Sequence, residues 1–452
     1  MHLDQNSNAY QGNGAAFKMN DSPKSPSLFR SILNVTSGNF LEQYDFFLFG
    51  FYAKAIGETF FHSDSTYAAL MKTFLIFAVS FLMRPIGALV LGPYVDRIGR
   101  RKGLMLTLSI MAFGSLIIAF TPGYNSIGIL AAFLIFVGRL AQGFSAGVEL
   151  GGVSVYLAEI ANEHNRGFIT SWQSASQQVA VVFAAVLGYI VNQIFTVEQV
   201  ADWAWRIPFF IGCLIIPLIF FLRSNLQETH DFASRTVKPT TSQILKTLLS
   251  NWKIVLVGMC MVATTTTMFY FITVYTPTYG KEVLHLTTSQ SLIATVIVGI
   301  SNFLFLPIGG HFSDRFGRKP VLLATTFLMF VSAYPMLYWL THNISLGHLQ
   351  LTLLWFSLLY GLYNGAMIPS LTEIMPRTVR TAGFSLAYSL ATSIFGGLTP
   401  VVATYLVQTS GNKSMPAFWL MTSAFLGLCA AIYVFHIAKH PSKHFQFKRD
   451  EA

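Results

Sequence analysis

Charge is what this chain has least of. Only 11 % of its 452 residues are Asp, Glu, Lys or Arg, against 53 % hydrophobic, about half the charge density usual in soluble globular proteins. The composition therefore argues against a soluble fold. Cysteine is nearly absent as well: Cys213, Cys260 and Cys429 sit in apolar stretches at no metal-like spacing, so they read as packing residues and not as a disulfide frame. There is no G-x-x-x-x-G-K-[ST] phosphate loop and no His/Cys cluster at ligand spacing, so neither ATP nor a metal is expected. Histidines such as His62, His164, His311 and His342 are scattered over helix ends and loops, without the convergent nucleophile and base an enzyme needs. Residues 1–27 are polar and lack an apolar core; they read as a disordered arm and not as a cleavable signal peptide.

Long apolar runs are what the chain has instead. They recur between Ser31 and Phe435, each about 20 residues and so able to cross a hydrocarbon core of roughly 30 Å as a helix. Spans are expected at 31–60, 71–95, 103–121, 126–160, 166–195, 203–222, 252–281, 288–312, 319–340, 347–373, 378–409 and 415–437. That makes about twelve helices with both termini on one side. The formal +10 charge could suggest nucleic acid, but its placement points to a bilayer. With the N-terminus inside, 22 of the 29 Lys and Arg fall on the inner side, five outside (Lys54, Lys72, Arg206, Lys281, Lys413) and two in mid-membrane. This is the positive-inside pattern; both termini are expected to be cytoplasmic, and no nucleic-acid partner is expected.

Two inner loops repeat almost letter for letter, GPYVDRIGRRK from Gly92 and GHFSDRFGRKP from Gly310. Gly92, Asp96, Arg97, Gly99 and Arg100 match Gly310, Asp314, Arg315, Gly317 and Arg318 at an offset of 218. The same offset pairs Gly143 and Gly147 of GFSAG with Gly361 and Gly365 of GLYNG; a four-residue adjustment pairs Glu159-x6-Arg166 with Glu373-x6-Arg380. Two six-helix halves follow, 31–222 and 252–437, joined by a polar cytoplasmic linker at 223–251 and flanked by the arm 1–30 and a cytoplasmic tail 438–452. Parallel repeats about an axis along the membrane normal belong to transporters that work by alternating access.

The duplicated loop resembles the G-x-x-x-D-R-x-G-R-[RK] motif of the major facilitator superfamily, and the resemblance extends over about residues 30–437. GNFLEQYDFFLFG (from Gly38), FLMRPIGALVLG (from Phe81) and GRLAQGFSAGVELGG (from Gly138) are similar to its metabolite:proton symporters. SWQSASQQVA (from Ser171), FYFITVYTPTYG (from Phe269) and LYNGAM (from Leu362) are similar, more narrowly, to the bacterial proton-coupled citrate and tricarballylate carriers. The resemblance implies an all-α polytopic membrane protein of the major facilitator fold, monomeric in the bacterial inner membrane. It further implies import of citrate or a related tricarboxylate, with the proton as coupling ion and no cofactor. Another organic acid or a zwitterionic osmolyte is the alternative cargo, since RPIG and EQYDF are shared across the wider family. A cytoplasmic gate is also implied: Asp96, Arg97 and Arg100, with Asp314, Arg315 and Arg318, would pair with Glu159, Glu373 and a helix N-terminus across the seam between halves. The plainer alternative is topological, basic loops facing inward around a glycine that tightens the turn.

The deep charges are legible without any family. Arg84 lies twelve residues from both Lys72 and Asp96, about 18 Å from either end of its helix. A lone Arg at that depth costs between about 2.5 and more than 10 kcal/mol, so it must face a partner or a water-filled cavity. Its planar fork matches a carboxylate, which leaves two candidates: an acidic side chain in a structural pair, or an anionic substrate. Pro85 frees a carbonyl and bends the helix, tolerable only against protein or water. Arg139, thirteen residues after Ser126, is similarly deep and shares a face with Gln142. Its RLAQG context resembles a fourth-helix motif of proton-coupled carriers, which implies proton transfer or the positioning of a partner acid. Asn39, Glu42 and Asp45 form a polar stripe every three residues on the first helix, fit for a helix–helix contact or for proton coupling and arginine pairing. Glu149 stands between a gate and a core role.

The second half carries none of these charges. At the offset of 218, Arg84 falls on Asn302, Arg139 on Ser357, Glu42 on Cys260 and Asp45 on Ala263. What it has is hydroxyl and amide groups, among them Tyr270, Asn302, Asn364 and Tyr388, while some of its Ser and Thr are expected to bond back one turn. With Arg84, Arg139, Asn39, Gln142, Gln173 and Gln177 these complete the expected substrate-binding set; Asp45 and Glu42 are the expected proton-coupling acids. For the gate, Asp96→Asn should lower turnover more than substrate affinity, because exposed pairs contribute only about 0–1 kcal/mol each and must open every cycle. Unchanged turnover in a transport assay would contradict the gating role.

Overall fold

The computed structural model describes residues 28–61, 66–98, 100–224, 241–375 and 380–439, and every regular element among them is helical. The first half holds α1 (Leu28–Phe51), α2 (Thr66–Ile98), α3 (Arg100–Phe120), α4 (Ile129–Ile160), α5 (Arg166–Ile194) and α6 (Arg206–Ser224). The second holds α7 (Trp252–Val283), α8 (Thr288–Phe316), α9 (Arg318–His342), α10 (Leu346–Ile374), α11 (Arg380–Ser410) and α12 (Pro416–Lys439). Within the expected linker, Thr241–Ser250 is helical. Residues 225–240 and most of the expected arm and tail lie outside the described residues. Helices α7 and α11 are not uniform: π-helical turns interrupt them at Phe271–Tyr275, Tyr279–Val283 and Thr392–Gly396.

Among the described residues, ten helices are long and apolar enough to cross a membrane, or eleven when the bent pair Val197–Ala204 and Arg206–Phe221 is one span. The remaining expected span is α1, whose polar stripe lowers its apolar content. Its surroundings explain why that is tolerated. Every residue from Leu41 to Gly50 is buried, because α1 is enclosed by α5, α6 and α4 and reaches the π-turn of α7 in the other half. A helix that barely touches lipid need not be apolar all round.

The repeated glycines are where helices cross closest. A Cβ at Gly143 or Gly147 would collide with the carbonyl oxygens of Ser80 and Arg84, and one at Gly87 with that of Phe144, so α2 and α4 meet backbone to backbone. In the second half a Cβ at Gly309 would meet the Gly361 carbonyl, one at Gly361 would lie 2.6 Å from Phe305 Cβ, and one at Gly365 would strike the Gly309–Gly310 backbone. Small residues allow such crossings where lipid offers no hydrophobic drive between helices. The α2–α4 crossing brings the helix of Arg84 against the helix of Arg139. At the end of α8, Gly317 takes φ +89°, the left-handed conformation that glycine adopts without strain and that turns the chain into α9. Gly143→Ala should therefore destabilise by about 3 kcal/mol, the upper range for overpacking against an unyielding backbone. Gly152→Ala, on the same helix with no atom within 4 Å of the added Cβ, should be neutral; melting temperatures in detergent test the contrast.

Candidate transport site

Four charged side chains converge at mid-depth in the first half, with exposures of 1 % for Arg84, 0 % for Arg139, 1 % for Glu42 and 1 % for Asp45. Arg84 Nη2 donates to Glu42 Oε1 at 3.2 Å, an ion pair. Asp45 reaches Arg139 through an intermediary: Arg139 donates to Gln142 Oε1 at 2.8 Å, and Gln142 Nε2 donates to Asp45 Oδ2 at 3.0 Å. Ser115 Oγ also donates to Asp45, and Arg139 donates to Ser80 Oγ at 3.2 Å. The amide of Gln142 thus relays between the acid and the guanidinium.

Aromatic faces do much of the solvation. The Phe46 ring takes both cations, Arg84 at 4.7 Å and Arg139 at 4.5 Å from its centroid, while Phe81 lies 4.2 Å from Arg84 and Phe49 4.4 Å from Arg139. Such contacts are worth about 2 kcal/mol when desolvated, which lets two like charges share one pocket. Sequence reasoning missed this box, although the phenylalanines of EQYDFFLFG flank the acids in plain view. It missed Ser80 and Ser115 as well.

The second half closes over the site with neutral groups. Tyr270 packs edge-on against Phe81 at 5.1 Å, and Tyr270, Tyr360 and Tyr388 are all buried. Asn302 donates to Gln178 Oε1 at 3.2 Å, tying α8 to α5 across the seam. Asn364 Oδ1 accepts from Thr265 at 3.0 Å. Several buried polar atoms have no hydrogen-bond partner among the described residues: Arg84 Nε and Nη1, Gln173 Nε2, Gln177 Nε2, Asn302 Oδ1 and Asn364 Nδ2. The amide of Asn39 donates to Gln173 O at 3.2 Å and Ser176 Oγ at 3.4 Å, so that side chain ties α1 to α5, as a polar group between two packed helices must. Many second-half hydroxyls likewise satisfy backbone carbonyls, Thr264 that of Ser423, Thr266 that of Val262 and Tyr279 that of Lys413.

At the end bearing the basic loops the halves are closed together. Asp314 accepts from the N–H groups of Gly167 and Phe168 at 2.9 Å each, capping the start of α5 across the seam, where orphan donors and the helix dipole favour an anion. Arg318 pairs with Asp314 at 2.7 Å and Glu373 at 3.6 Å, and Arg166 reaches Glu373 at 3.5 Å. Arg315 lies 5.6 Å over the Phe316 ring. Glu159 is half-buried at the same end; the side chains of Asp96, Arg97 and Arg100 lie outside the described residues. Glu149 is buried on α4. The opposite end opens to a pocket of about 280 Å³ between α1, α5, α7 and α8, lined in part by Tyr52, Lys54, Asn192 and Lys281 and by none of the deep charges.

A buried polar centre between two pseudo-symmetric helical halves, closed at one end and pocketed at the other, defines a membrane transporter and not an enzyme. Comparison with known proteins agrees, and the chain belongs to the sugar (and other) transporter family of the major facilitator superfamily, whose model matches residues 31–235 and again 223–447. A citrate-proton symporter of Salmonella typhi is 59 % identical over 407 residues, 90 % of this chain and 94 % of its own. One from Klebsiella pneumoniae is 56 % identical over 90 % of this chain and 91 % of its own. The xylose transporter XylE from E. coli, in a partially occluded inward-open conformation, superposes with a TM-score of 0.72 over 91 % of this chain and 98 % of its own, at 18 % identity, a likeness of fold alone.

The depth of the charges sets an expected contrast. Glu42→Ala leaves Arg84 without its acid in a buried site and should destabilise by about 3–5 kcal/mol. Glu373→Gln, at a side chain 38 % exposed, should change stability by at most about 1 kcal/mol. Thermal unfolding of the two purified variants measures both.

Proposed function

We propose that the chain imports citrate, or a related tricarboxylate such as tricarballylate, together with protons, by alternating access. The observation that carries this is Arg84: fully buried, it gives Nη2 to Glu42 while Nε and Nη1 have no partner among the described residues. With Glu42 and Asp45 ionised, the two arginines are formally balanced. A proton on Glu42 would release Nη2 and complete a fork that suits a carboxylate. A proton on Asp45 would remove the negative charge that Gln142 bridges to Arg139 and leave that cation unbalanced in the same pocket. Either proton raises the site by one positive charge, and linkage then requires a bound anion to raise proton affinity by the same factor. Tyr270, Tyr360 and Tyr388 would supply neutral hydrogen bonds to the rest of a hydroxylated ligand. The high identity to two citrate-proton symporters supports both cargo and coupling ion.

The basic end is read as cytoplasmic, with both termini there and a monomer in the bacterial inner membrane. A partly exposed pair such as Arg166–Glu373 suits a closure that opens once per cycle.

Uptake of labelled citrate into proteoliposomes under an acid-outside gradient tests the proposal. Accumulation that collapses with a protonophore supports it; accumulation of a dicarboxylate or a betaine in place of citrate overturns it. Asp45→Asn should abolish acid-driven accumulation while leaving exchange of labelled citrate between two pools, and uphill uptake surviving in that variant excludes Asp45 as a coupling acid. Arg84→Lys should weaken citrate affinity by about tenfold or more, since an ammonium keeps the charge and loses the fork.

A further inference from the structure

Pro85 follows Arg84 inside α2 and has no N–H, so the carbonyl of Phe81 one turn earlier is denied its helical donor. The structure supplies one from the other half of the molecule: the Ser393 hydroxyl of α11 donates to the Phe81 carbonyl. Ser393 stands in the π-turn Thr392–Gly396, a local widening that occurs often at functional positions. It also ends a row. Ser385, Ser389 and Ser393 recur every four residues on one face of α11; Ser385 abuts Gly151, and Ser389 donates to the Gly147 carbonyl at 3.2 Å. Two glycines let α11 approach. A Cβ at Gly397 would lie 2.8 Å from the Phe81 ring, and one at Gly396 would lie 2.8 Å from Tyr270.

The Phe81 ring is itself 4.2 Å under the Arg84 guanidinium, so whatever fixes the Phe81 backbone fixes the platform on which the cation rests. The Ser393 hydroxyl has one proton and two acceptors, because the Ser389 carbonyl of its own helix is 2.7 Å away. When α2 and α11 are apposed the proton can serve Phe81; when they part it has a home on α11, and only the Phe81 carbonyl changes partner. The offset of 218 puts Phe303 where Pro85 stands, so the second half has no proline at the corresponding point.

We propose that Ser393 is a positioning residue for Arg84: by satisfying the carbonyl freed at Pro85, it holds the Phe81–Arg84 turn in the geometry that receives a substrate carboxylate only while the two halves are in contact. This rests on the proposed citrate uptake, and the test separates the two. Ser393→Ala, Ser393→Thr, Pro85→Ala and the Ser393→Ala/Pro85→Ala double variant are assayed in proteoliposomes with labelled citrate. Ser393→Ala should raise the half-saturating concentration about tenfold, as expected for a buried carbonyl left unsatisfied, with the maximal rate changed by less than about twofold. Ser393→Thr keeps the hydroxyl and should restore the wild-type value. In the Pro85→Ala background residue 85 regains an N–H, and adding Ser393→Ala should then matter less than about twofold. Equal effects of Ser393→Ala in both backgrounds, or no effect in either, overturn the proposal. Should Pro85→Ala fail to fold, a Ser393→Thr protein no better than Ser393→Ala overturns it. If wild-type protein accumulates no citrate, the functional proposal alone fails; the same cycle read as melting temperatures of unliganded protein then decides, a loss on Ser393→Ala confined to the Pro85 background supporting the contact and an equal loss overturning it.

Discussion

Two arginines and two acids buried at the middle of a bilayer must nearly cancel, and much of the first half is arranged to make them do so. Each ion would be prohibitively costly alone. Glu42 neutralises Arg84 directly, Gln142 passes the charge of Asp45 on to Arg139, and Phe46 presents its face to both guanidiniums. The α2–α4 glycine crossing and the enclosure of α1 bring these groups into one place. A balance so close is also sensitive: one proton changes the site by a full unit of charge in surroundings where screening is weak.

The halves divide the work along lines that follow from this. The first holds charge and therefore keeps an acid or an amide against each cation. The second meets it with hydroxyls and amides, whose hydrogen bonds to backbone and to α5 can be exchanged at little cost. At the basic end the bonds that join the halves are charge-assisted, Asp314 on the start of α5 and Arg166 on Glu373, while Arg318 braces Asp314 and Glu373 within the second half. Fully buried ion pairing holds the site within one half; backbone capping by Asp314 and the partly exposed Arg166–Glu373 pair hold one half to the other. That ordering of strengths is what a rocking mechanism requires.

The contact between α11 and α2 adds a link between the two levels. A proline beside the central arginine leaves a carbonyl that its own helix cannot satisfy, and the donor comes from the opposite half. Backbone satisfaction in a membrane is obligatory, so a freed carbonyl placed at the seam makes the local state of α2 depend on the apposition of the halves.

Much of this was legible in the chain itself. Apolar runs, the duplicated loops and the placement of Lys and Arg determined a helical membrane protein in two halves, because helix length and the cost of charge in lipid act on composition alone. Counting residues to the helix ends determined that Arg84 and Arg139 are deep, and the lack of counterparts in the second half marked the charges as particular to one side. Spacing could not say which acid meets which arginine. Glu42 and Asp45 lie one turn apart on the same stripe, and only the rotation and crossing of α1, α2 and α4 assigned Glu42 to Arg84 and placed Gln142 between Asp45 and Arg139. Nor could it say that Asn39 would bind α5, that Gln178 would meet Asn302, or that a serine 312 residues away would answer the carbonyl before Pro85. Those partners are far apart in the chain, and hydrogen bonds act over about 3 Å. Composition and period determined what each helix had to hide, and the packing of helices alone decided against what.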